Sequence, residues 1–589
     1  MNDVQLIGEN LFVSFSYDAD KVAAVKAIAS AHGYRPGQCY DGATKTWKLP
    51  KRCAADVAKV FFDLTWCERM RDYMRRSKAK FETADTVLAG HRQHELQLHA
   101  EQARTTGFAL DAALPDGRTP RIHQREGTLQ MMRLMRLILG WEMGTGKTLA
   151  ALLVGKMLYE REGWHTLVIC RANLCENWRR EASGCGHRIV SVFAHAKIPE
   201  THSAPFILVN DEAHDFQSMK SQRTKKMLKL ALSPLCHGVI NISGTPMPNG
   251  QPKNIFPLLR ACKHHLGADQ DAFEKRYCAA GLRVFGKAYL SANDTRISWK
   301  CKGCAHDNVQ NYRRGFRVFK CAACGRQADF KVFPDSGGCS NMEELHAKIA
   351  PILMLKKKSE CLDLPPKTRI VERVEVSEEM EAHYRRVLSE AKEQYRQRVR
   401  DGSIEKDGEA LALLTFVRMA AAQAKIAHVL ERVREINEQG SKCVIFSAFK
   451  EPVIQIAREL KLAAAYTGDL VRQQEKQRLI DEFQAGRAQN FASTIKAGGV
   501  GITLTAADYV ITIDRELRPG DNDQAEDRLH RDGQKNAVTS IWLSAFAVDD
   551  KIDDMNAEKE KNIAAVIEGK SGGTTDRLSA QSVLHELFK

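Results

Sequence analysis

The chain has 589 residues, 43% of them hydrophobic and 27% charged, a composition that suits folded protein and excludes wholesale disorder. No run approaches the roughly 18 consecutive apolar residues of a membrane span. The first residues, MNDVQLIGEN, lack a basic-then-apolar leader, so an intracellular enzyme or machine is expected.

At about 150 residues per domain the length suggests about four domains. The formal net charge of +15 favours a polyanionic partner, most often nucleic acid. Of 16 cysteines, twelve are scattered singly, the habit of reduced thiols in a cytosolic or nuclear setting.

Residues 1–65 read as a small α+β module, with a strand at 11–17, a helix at 20–33 and a hairpin at 39–50. Residues 66–80 form a basic helix, and 66–115 a basic, polar helical linker in which His91, His94 and His99 read as a solvated face. From 116 to 265, β-branched runs alternate with helical stretches, the habit of a parallel sheet flanked by helices. A second such series covers 441–550. Between them lie an irregular, cysteine-bearing insertion at 266–365 and a helical connector at 366–440; residues 551–589 read as a helical tail. Two α/β series predict two similar lobes with a cleft between them.

In lobe one, WEMGTGKTLA (141–150) follows an apolar strand and opens into an amphipathic helix. Gly144 and Gly146 let backbone N–H groups around Thr145 converge on phosphate, and the helix N-terminus adds its positive end. Lys147 supplies charge to the outer phosphates of ATP, and the Thr148 hydroxyl suits Mg²⁺. VNDEAH (209–214) follows the strand FILV, so Asp211 is placed as the second Mg²⁺ ligand and Glu212 as the base that aligns water.

Four cysteines form CKGC (301–304) and CAAC (321–324), with sixteen residues between. Cys301, Cys304, Cys321 and Cys324 at that spacing predict a closed, structural Zn²⁺ ribbon with Zn–S distances of about 2.3 Å. Lys300, Lys302, Arg313, Arg314, Arg317, Lys320 and Arg326 make it basic. It reads either as a DNA grip or as a fold staple only.

In order, the phosphate loop, DEAH and SGTPMPN (243–249) resemble motifs I, II and III of superfamily-two helicases, specifically the Swi/Snf-like DNA translocases. HQREG (123–127), LVICRANLCENWRRE (167–181), KCVIFSAF (442–449), IKAGGVGITLTAAD (495–508) and QAEDRLHRDGQ (524–534) resemble the Q motif and motifs Ia, IV, V and VI. The last two lean toward the subgroup of fork-remodelling annealing helicases. The N-terminal FVSFSYD…YDGATKTWKLP is similar to the HARP module of those enzymes; an unrelated α+β domain is the other reading.

The resemblance implies two tandem RecA-like lobes and a DNA-dependent ATPase that translocates on duplex DNA and remodels forks or branches. Gln124 then meets adenine. Arg528 and Arg531, read as sharing a helix face, reach the γ-phosphate as arginine fingers, Gln534 helps close the lobes, and Ser243 and Thr245 couple nucleotide to DNA grip. Arg171, Asn173, Trp178, Ser493, Thr494 and Lys496 are implied DNA contacts. The sequence departs from the family at Trp141, where an acidic residue is usual, at Arg518, in place of a Trp-Asn pair, and in the 64 residues from Lys147 to Asp211, a short span. Two alternatives remain: displacement of a protein such as a polymerase from DNA, and an ATP-gated DNA clamp, motivated by Trp141. A cytoplasmic, nucleoid-associated location is expected in a prokaryotic or viral setting and a nuclear one in a eukaryotic setting.

Overall fold

The structure is a computed structural model. It describes residues 112–279, 336–400, 407–470, 472–499, 501–573 and 578–588, and from the N-terminal part and the insertion chiefly 3–7, 10–14, 19–31, 39–41, 46–50, 65–66, 281–285, 288–290, 296–311, 319–328 and 331–335. The basic helix expected at 66–80, the three linker histidines, and Arg313, Arg314 and Arg317 lie outside the described residues.

The N-terminal part holds β1 (Asp3–Ile7), β2 (Asn10–Ser14), β3 (Tyr40–Asp41), β4 (Thr46–Pro50) and β5 (Thr65–Trp66), ordered β3-β4-β2-β1-β5. With the helix Ala19–Ala31 they make an α+β unit.

Lobe one contains β6 (Arg136–Trp141), β7 (His165–Cys170), β8 (Val190–Ala194), β9 (Phe206–Asn210) and β10 (Cys236–Ile242). β11 (Gly281–Phe285), β12 (Ala288–Leu290), β13 (Arg296–Lys300), β14 (Asp307–Asn311) and β15 (Lys331–Asp335) belong to the insertion. The chain then returns to lobe one as β16 (Leu353–Lys356), which pairs parallel to β6. The sheet order is β16-β6-β10-β9-β7-β8, every pairing parallel. Two apolar clusters cover its two faces, so its strands read as continuous apolar runs.

Lobe two contains β17 (Lys367–Arg373), β18 (Cys443–Ser447), β19 (Asn490–Thr494), β20 (Tyr509–Thr512) and β21 (Val538–Ser544), ordered β17-β21-β20-β18-β19, again all parallel.

These pairings correct the boundaries read from sequence. Lobe one extends through β16, in the stretch read as insertion, and lobe two begins at β17, in the stretch read as connector. Both strands join their sheets from far along the chain, and short local patterns do not reveal such partners. The tail is corrected too. The helix Ala547–Ile567 starts in a cluster with the connector helices, where Val548, Ile552 and Met555 are buried, and ends with Val566 and Ile567 in the core of lobe one. Its first turn is anchored by a fully buried Lys425–Asp549 pair at 2.7 Å. Among the described residues no single helix is long and apolar enough to cross a membrane.

Candidate active site

Lobe one places its chemistry at the carboxyl ends of three adjacent strands, where ligands of parallel α/β sheets bind. β6 runs into the phosphate loop, β9 into DEAH and β10 into SGTPMPN. Gly144 and Gly146 both have φ +80°, which a residue with a Cβ adopts at a cost. A Cβ on Gly146 would lie 2.0 Å from Gln124 Nε2, so the loop closes only around glycine there. His123 Nε2 lies 2.8 Å from the Thr145 carbonyl, and the Thr145 hydroxyl donates to the Glu142 carbonyl at 2.8 Å. Gln124 is buried with Nε2 3.4 Å from the Gly146 carbonyl and Oε1 accepting from Arg121 N at 2.9 Å, so its amide braces the loop.

Lys147 opens the helix Lys147–Glu162, with Thr148 beside it in the same first turn. Its ammonium donates to the carbonyls of Trp141 and Glu142, both at 2.9 Å. Burial pulls its pKa down to about 8, against the pull of Glu212, Asp211 and Asp527. Asp211 moves the other way: burial and the neighbouring Glu212 push its carboxyl up to about 6. Glu212 is held at φ +48°, an uncommon conformation for a residue with a side chain and a mark of a functional turn.

Trp178 is corrected by the structure. Its ring is 1% exposed, and its indole N–H donates to Asp211 Oδ2 at 2.7 Å, so it serves the DEAH carboxylate and presents nothing to DNA. The helix Cys175–Gly184 turns this residue inward, a choice of face that single-residue reading missed. Ser493 and Thr494 are corrected likewise. Both are buried at the end of β19, with the Ser493 hydroxyl donating to the Tyr466 carbonyl at 2.9 Å. Asn173 is exposed, and Lys496 is exposed with an ion pair to Glu516 at 3.0 Å. Arg171 donates to Asp215 at 2.7 Å and lies 3.2 Å from His214 Nε2.

Trp141 ends β6 with its ring buried in lobe one, edge-on to His123 at 5.7 Å between ring centres. A Cβ on Gly127 would meet that ring at 2.3 Å. The indole therefore fills a space left by the glycine of HQREG and packs on the histidine that bonds the Thr145 carbonyl. Acidity at the loop comes from Glu142, whose carboxylate accepts from Lys358 N at 2.8 Å.

Lobe two meets this surface directly. A Cβ on Gly144 would lie 3.7 Å from Arg531 Cβ, and Glu212 acts electrostatically on Arg528. The two arginines are not on a helix, another correction. The helix Pro519–Glu526 ends just before them, and they occupy a run of short turns with Arg528 N bonded to Ala525 O and Gln534 N to Arg531 O. Their guanidiniums donate to motif V carbonyls, Arg528 to Gly499 at 3.0 Å and Arg531 to Ile502 at 2.9 Å. Burial, and for Arg528 the charge of Arg531, lowers both pKa values, Arg528 to about 10. Gln534 spends its amide within lobe two, donating to Ala507 and Leu529 and accepting from Lys535 N and Asn536 N, so it staples its own loop instead of bridging the lobes.

Sequence reading missed several bridging groups. His214 Nδ1 lies 3.0 Å from the Ser243 hydroxyl and 3.4 Å from Glu212, and the Ser243 hydroxyl accepts from Thr245 N at 3.1 Å. A Cβ on Gly520 would meet Thr245 Cγ2 at 2.4 Å. DEAH, motif III and lobe two thus form one chain of contacts. Lys358, buried after β16, pairs with Asp527 at 2.5 Å, and Arg121 pairs with Asp532 at 2.7 Å. Lys358 stands in the run LKKKSE, which carries no signal for this role, whereas the His of DEAH lies inside a quoted motif.

In the insertion, β13 and β14 pair antiparallel and each CxxC makes a tight knuckle. Cys301 N bonds to His306 O and Cys321 N to Arg326 O, and Ala305 and Gly325, each just past its second cysteine, both have positive φ. The four Sγ atoms lie within 4.8 Å of one another, with Cys301–Cys324 and Cys304–Cys321 at 3.6 Å. Tetrahedral Zn–S bonds of about 2.3 Å imply S···S of about 3.8 Å, so this donor set fits zinc. His306 stands outside the set.

Two parallel-sheet lobes, with a phosphate loop and DEAH on one and an arginine pair against that loop from the other, define a helicase-like ATP hydrolase with two RecA-like lobes. Residues 194–438 match the SNF2-related domain, and 424–533 the helicase conserved C-terminal domain. The chain thus carries an SNF2-related domain followed by a helicase conserved C-terminal domain. It is 26% identical over 464 residues to a Caenorhabditis elegans homologue of SWI/SNF-related matrix-associated actin-dependent regulator of chromatin subfamily A-like protein 1, covering 73% of this chain and 59% of that one. It is 24% identical over 459 residues to the Bos taurus DNA annealing helicase and endonuclease ZRANB3, covering 72% of this chain and 38% of that one. The Sulfolobus solfataricus SWI2/SNF2 ATPase core in complex with dsDNA is 19% identical, with a TM-score of 0.34, over 78% of this chain and 96% of that one. The chain thus spans 59% and 38% of the two curated relatives' lengths, under two thirds of each.

Proposed function

We propose that the protein is a DNA-dependent ATPase that moves along double-stranded DNA and remodels forked or branched DNA, reannealing strands. The observation that carries this reading is the seating of Arg531 against Gly144, because it divides one triphosphate site between two lobes. Lys147 would meet the outer phosphates of ATP at the loop, and Thr148 and Asp211 would hold Mg²⁺, which would supply neutralising charge there. Glu212 orients the attacking water and accepts its proton. Arg528 and Arg531 exchange their motif V carbonyls for the γ-phosphate as the lobes tighten, and the return to those carbonyls accompanies release. Alternating grip on a duplex then yields movement. The net charge of +15 and the naming of a relative as a DNA annealing helicase support DNA as the track. Zinc in the ribbon is structural, and exposed Lys300, Lys302, Lys320 and Arg326 around it offer phosphate contacts.

The test is ATP hydrolysis by purified protein with no DNA and with single-stranded, duplex and forked DNA. Duplex or fork stimulation that vanishes in Lys147→Ala and Glu212→Gln is expected, with fork regression and strand annealing by the wild type. Hydrolysis indifferent to every DNA defeats the reading.

A further inference from the structure

The carboxyl ends of β10, β9, β7 and β8, neighbours in that order, carry a row of polar groups next to the strand of the phosphate loop. Ser243 follows β10, the segment from Glu212 to Asp215 follows β9, Arg171 follows β7 and His195 follows β8. Arg171 closes on Asp215 with two prongs, Nε to Oδ2 at 2.7 Å and Nη2 to Oδ1 at 3.1 Å, the bidentate form that fixes a guanidinium plane. The same Nη2 points at His214 Nε2, 3.2 Å away. Against the burial that would raise it, this pairing holds the Asp215 carboxyl below its ordinary value, so the fork persists as an ion pair. His195 Nδ1 stands 3.5 Å from the same carboxylate.

A guanidinium nitrogen can only donate, so His214 Nε2 can only accept. Its lone pair is then committed, and the ring proton belongs on Nδ1. Asp215 Oδ1 is 3.9 Å from Nε2, beyond hydrogen-bond reach, and draws no proton there. Nδ1 faces Ser243 Oγ at 3.0 Å and Glu212 Oε2 at 3.4 Å. His214 is 1% exposed, so water offers no competing partner. In the other tautomer an Nε2–H would face the donors of Arg171, and the bare Nδ1 would turn its lone pair on the Glu212 carboxylate. Both contacts repel, in a buried setting where repulsion is poorly screened. One guanidinium therefore decides which atom of the ring carries the proton.

We propose that Arg171, held by Asp215, is a positioning residue that locks His214 in its Nδ1–H form, so that this N–H steers the Glu212 carboxylate and ties it to motif III. This rests on Glu212 being the base for water, as proposed above. The N–H is shared between that carboxylate and Ser243, whose hydroxyl also accepts from Thr245 N at 3.1 Å. Thr245 touches lobe two at Gly520, so movement of that lobe reaches Glu212 through a ring whose donor end is fixed. Lobe two also acts on Arg171 itself, since Asp521 attracts its charge and Arg528 is repelled by it. In this reading Arg171 serves hydrolysis instead of the DNA track, its Nε and Nη2 being spent within lobe one.

The experiment compares the full chain, isotope-labelled at its histidine nitrogens, as wild type, Arg171→Lys and Arg171→Met, with His214→Asn assigning the His214 signals. NMR of the wild type should place the His214 proton on Nδ1; a proton on Nε2 overturns the proposal outright. In Arg171→Lys the ammonium keeps the charge beside Asp215 but lacks the fork, so the pure Nδ1–H signature is expected to be lost. DNA-free kcat should fall about tenfold in that variant with KM for ATP within about twofold, because base alignment is lost and phosphate binding is kept. If Arg171→Met fails to fold, Arg171→Lys decides. A folded Arg171→Lys with wild-type His214 nitrogens and wild-type kcat overturns the proposal. So does Arg171→Met losing about one from the slope of log duplex affinity against log salt while kcat and the nitrogen spectrum stay unchanged, which would make Arg171 a phosphate contact. Hydrolysis by Glu212→Gln at the wild-type rate removes the base reading instead, and the nitrogen spectrum then still tests the tautomer lock by itself.

Discussion

The indole N–H of Trp178 lies 2.7 Å from Asp211 Oδ2, joining the helix Cys175–Gly184 to the first carboxylate of DEAH. Burial and Glu212 drive that carboxyl up to about 6, and this hydrogen bond opposes them. In the proposed mechanism Asp211 acts ionised, whereas Lys147, held down at about 8, acts protonated. The pH profile of kcat/KM is therefore expected to be a bell, its acid limb belonging to Asp211 and its alkaline limb to Lys147.

Removing the Trp178 donor takes away a charge-assisted hydrogen bond worth about 1.5–3 kcal/mol to the ionised form. Trp178→Phe is thus expected to move the acid limb upward by about one pH unit and leave the alkaline limb in place. An unmoved acid limb in a folded variant would show that the contact does not set the carboxylate's ionisation.

The Gly127–Trp141 contact yields a prediction opposite in sign to helix propensity. Gly127 lies inside the helix Ile122–Leu134, where alanine ordinarily stabilises by about 1 kcal/mol. Here the added methyl would meet the Trp141 ring at 2.3 Å. Gly127→Ala is expected to destabilise by about 1–3 kcal/mol through overpacking, and Trp141→Leu in the same chain to recover much of the loss. Thermal melts of the two single variants and the double variant check this; additive losses would disprove the coupling.

The site was legible in sequence wherever chemistry is carried by a short contiguous string. The glycines and lysine of 144–147 and the carboxylates of 211–212 each follow a strand, and local pattern alone put them at a sheet's carboxyl edge. It failed where the answer depends on which way a side chain faces. Trp178, Ser493 and Thr494 stand in motifs that touch DNA in the family, yet the packing of their own elements turns them inward. It failed again for β16 and β17, whose membership depends on pairing with strands far off in the chain, and for Lys358, whose partner Asp527 lies on the other lobe. The arginine pair was found by motif, but its setting in turns follows from the early end of the preceding helix at Glu526.

Contact between Thr245 and Gly520 links motif III to lobe two with no room to spare, since a Cβ on that glycine would approach Thr245 Cγ2 to 2.4 Å. Gly520→Ala should hold the lobes slightly apart while leaving the loop, Asp211 and Glu212 undisturbed. The expected result is near-normal ATP hydrolysis without DNA and at least a tenfold loss of DNA stimulation. Equal loss of both rates would place the defect in the nucleotide site itself.

Zinc offers the last prediction, which separates folding from catalysis. The four thiols of the ribbon sit at spacings that suit one ion, and the apolar core described beside the knuckles is small, Ile297 together with Trp299 packed edge-on to Phe319 at 5.9 Å between ring centres. A unit with so little buried area depends on its metal for order. One zinc per chain is expected by elemental analysis, and Cys321→Ser with Cys324→Ser should abolish it and make the insertion sensitive to protease. The main thermal transition and DNA-free hydrolysis should persist, because both RecA-like sheets form their cores without the ribbon. Wild-type protein purified without zinc, with an insertion equally resistant to protease, would refute the metal site.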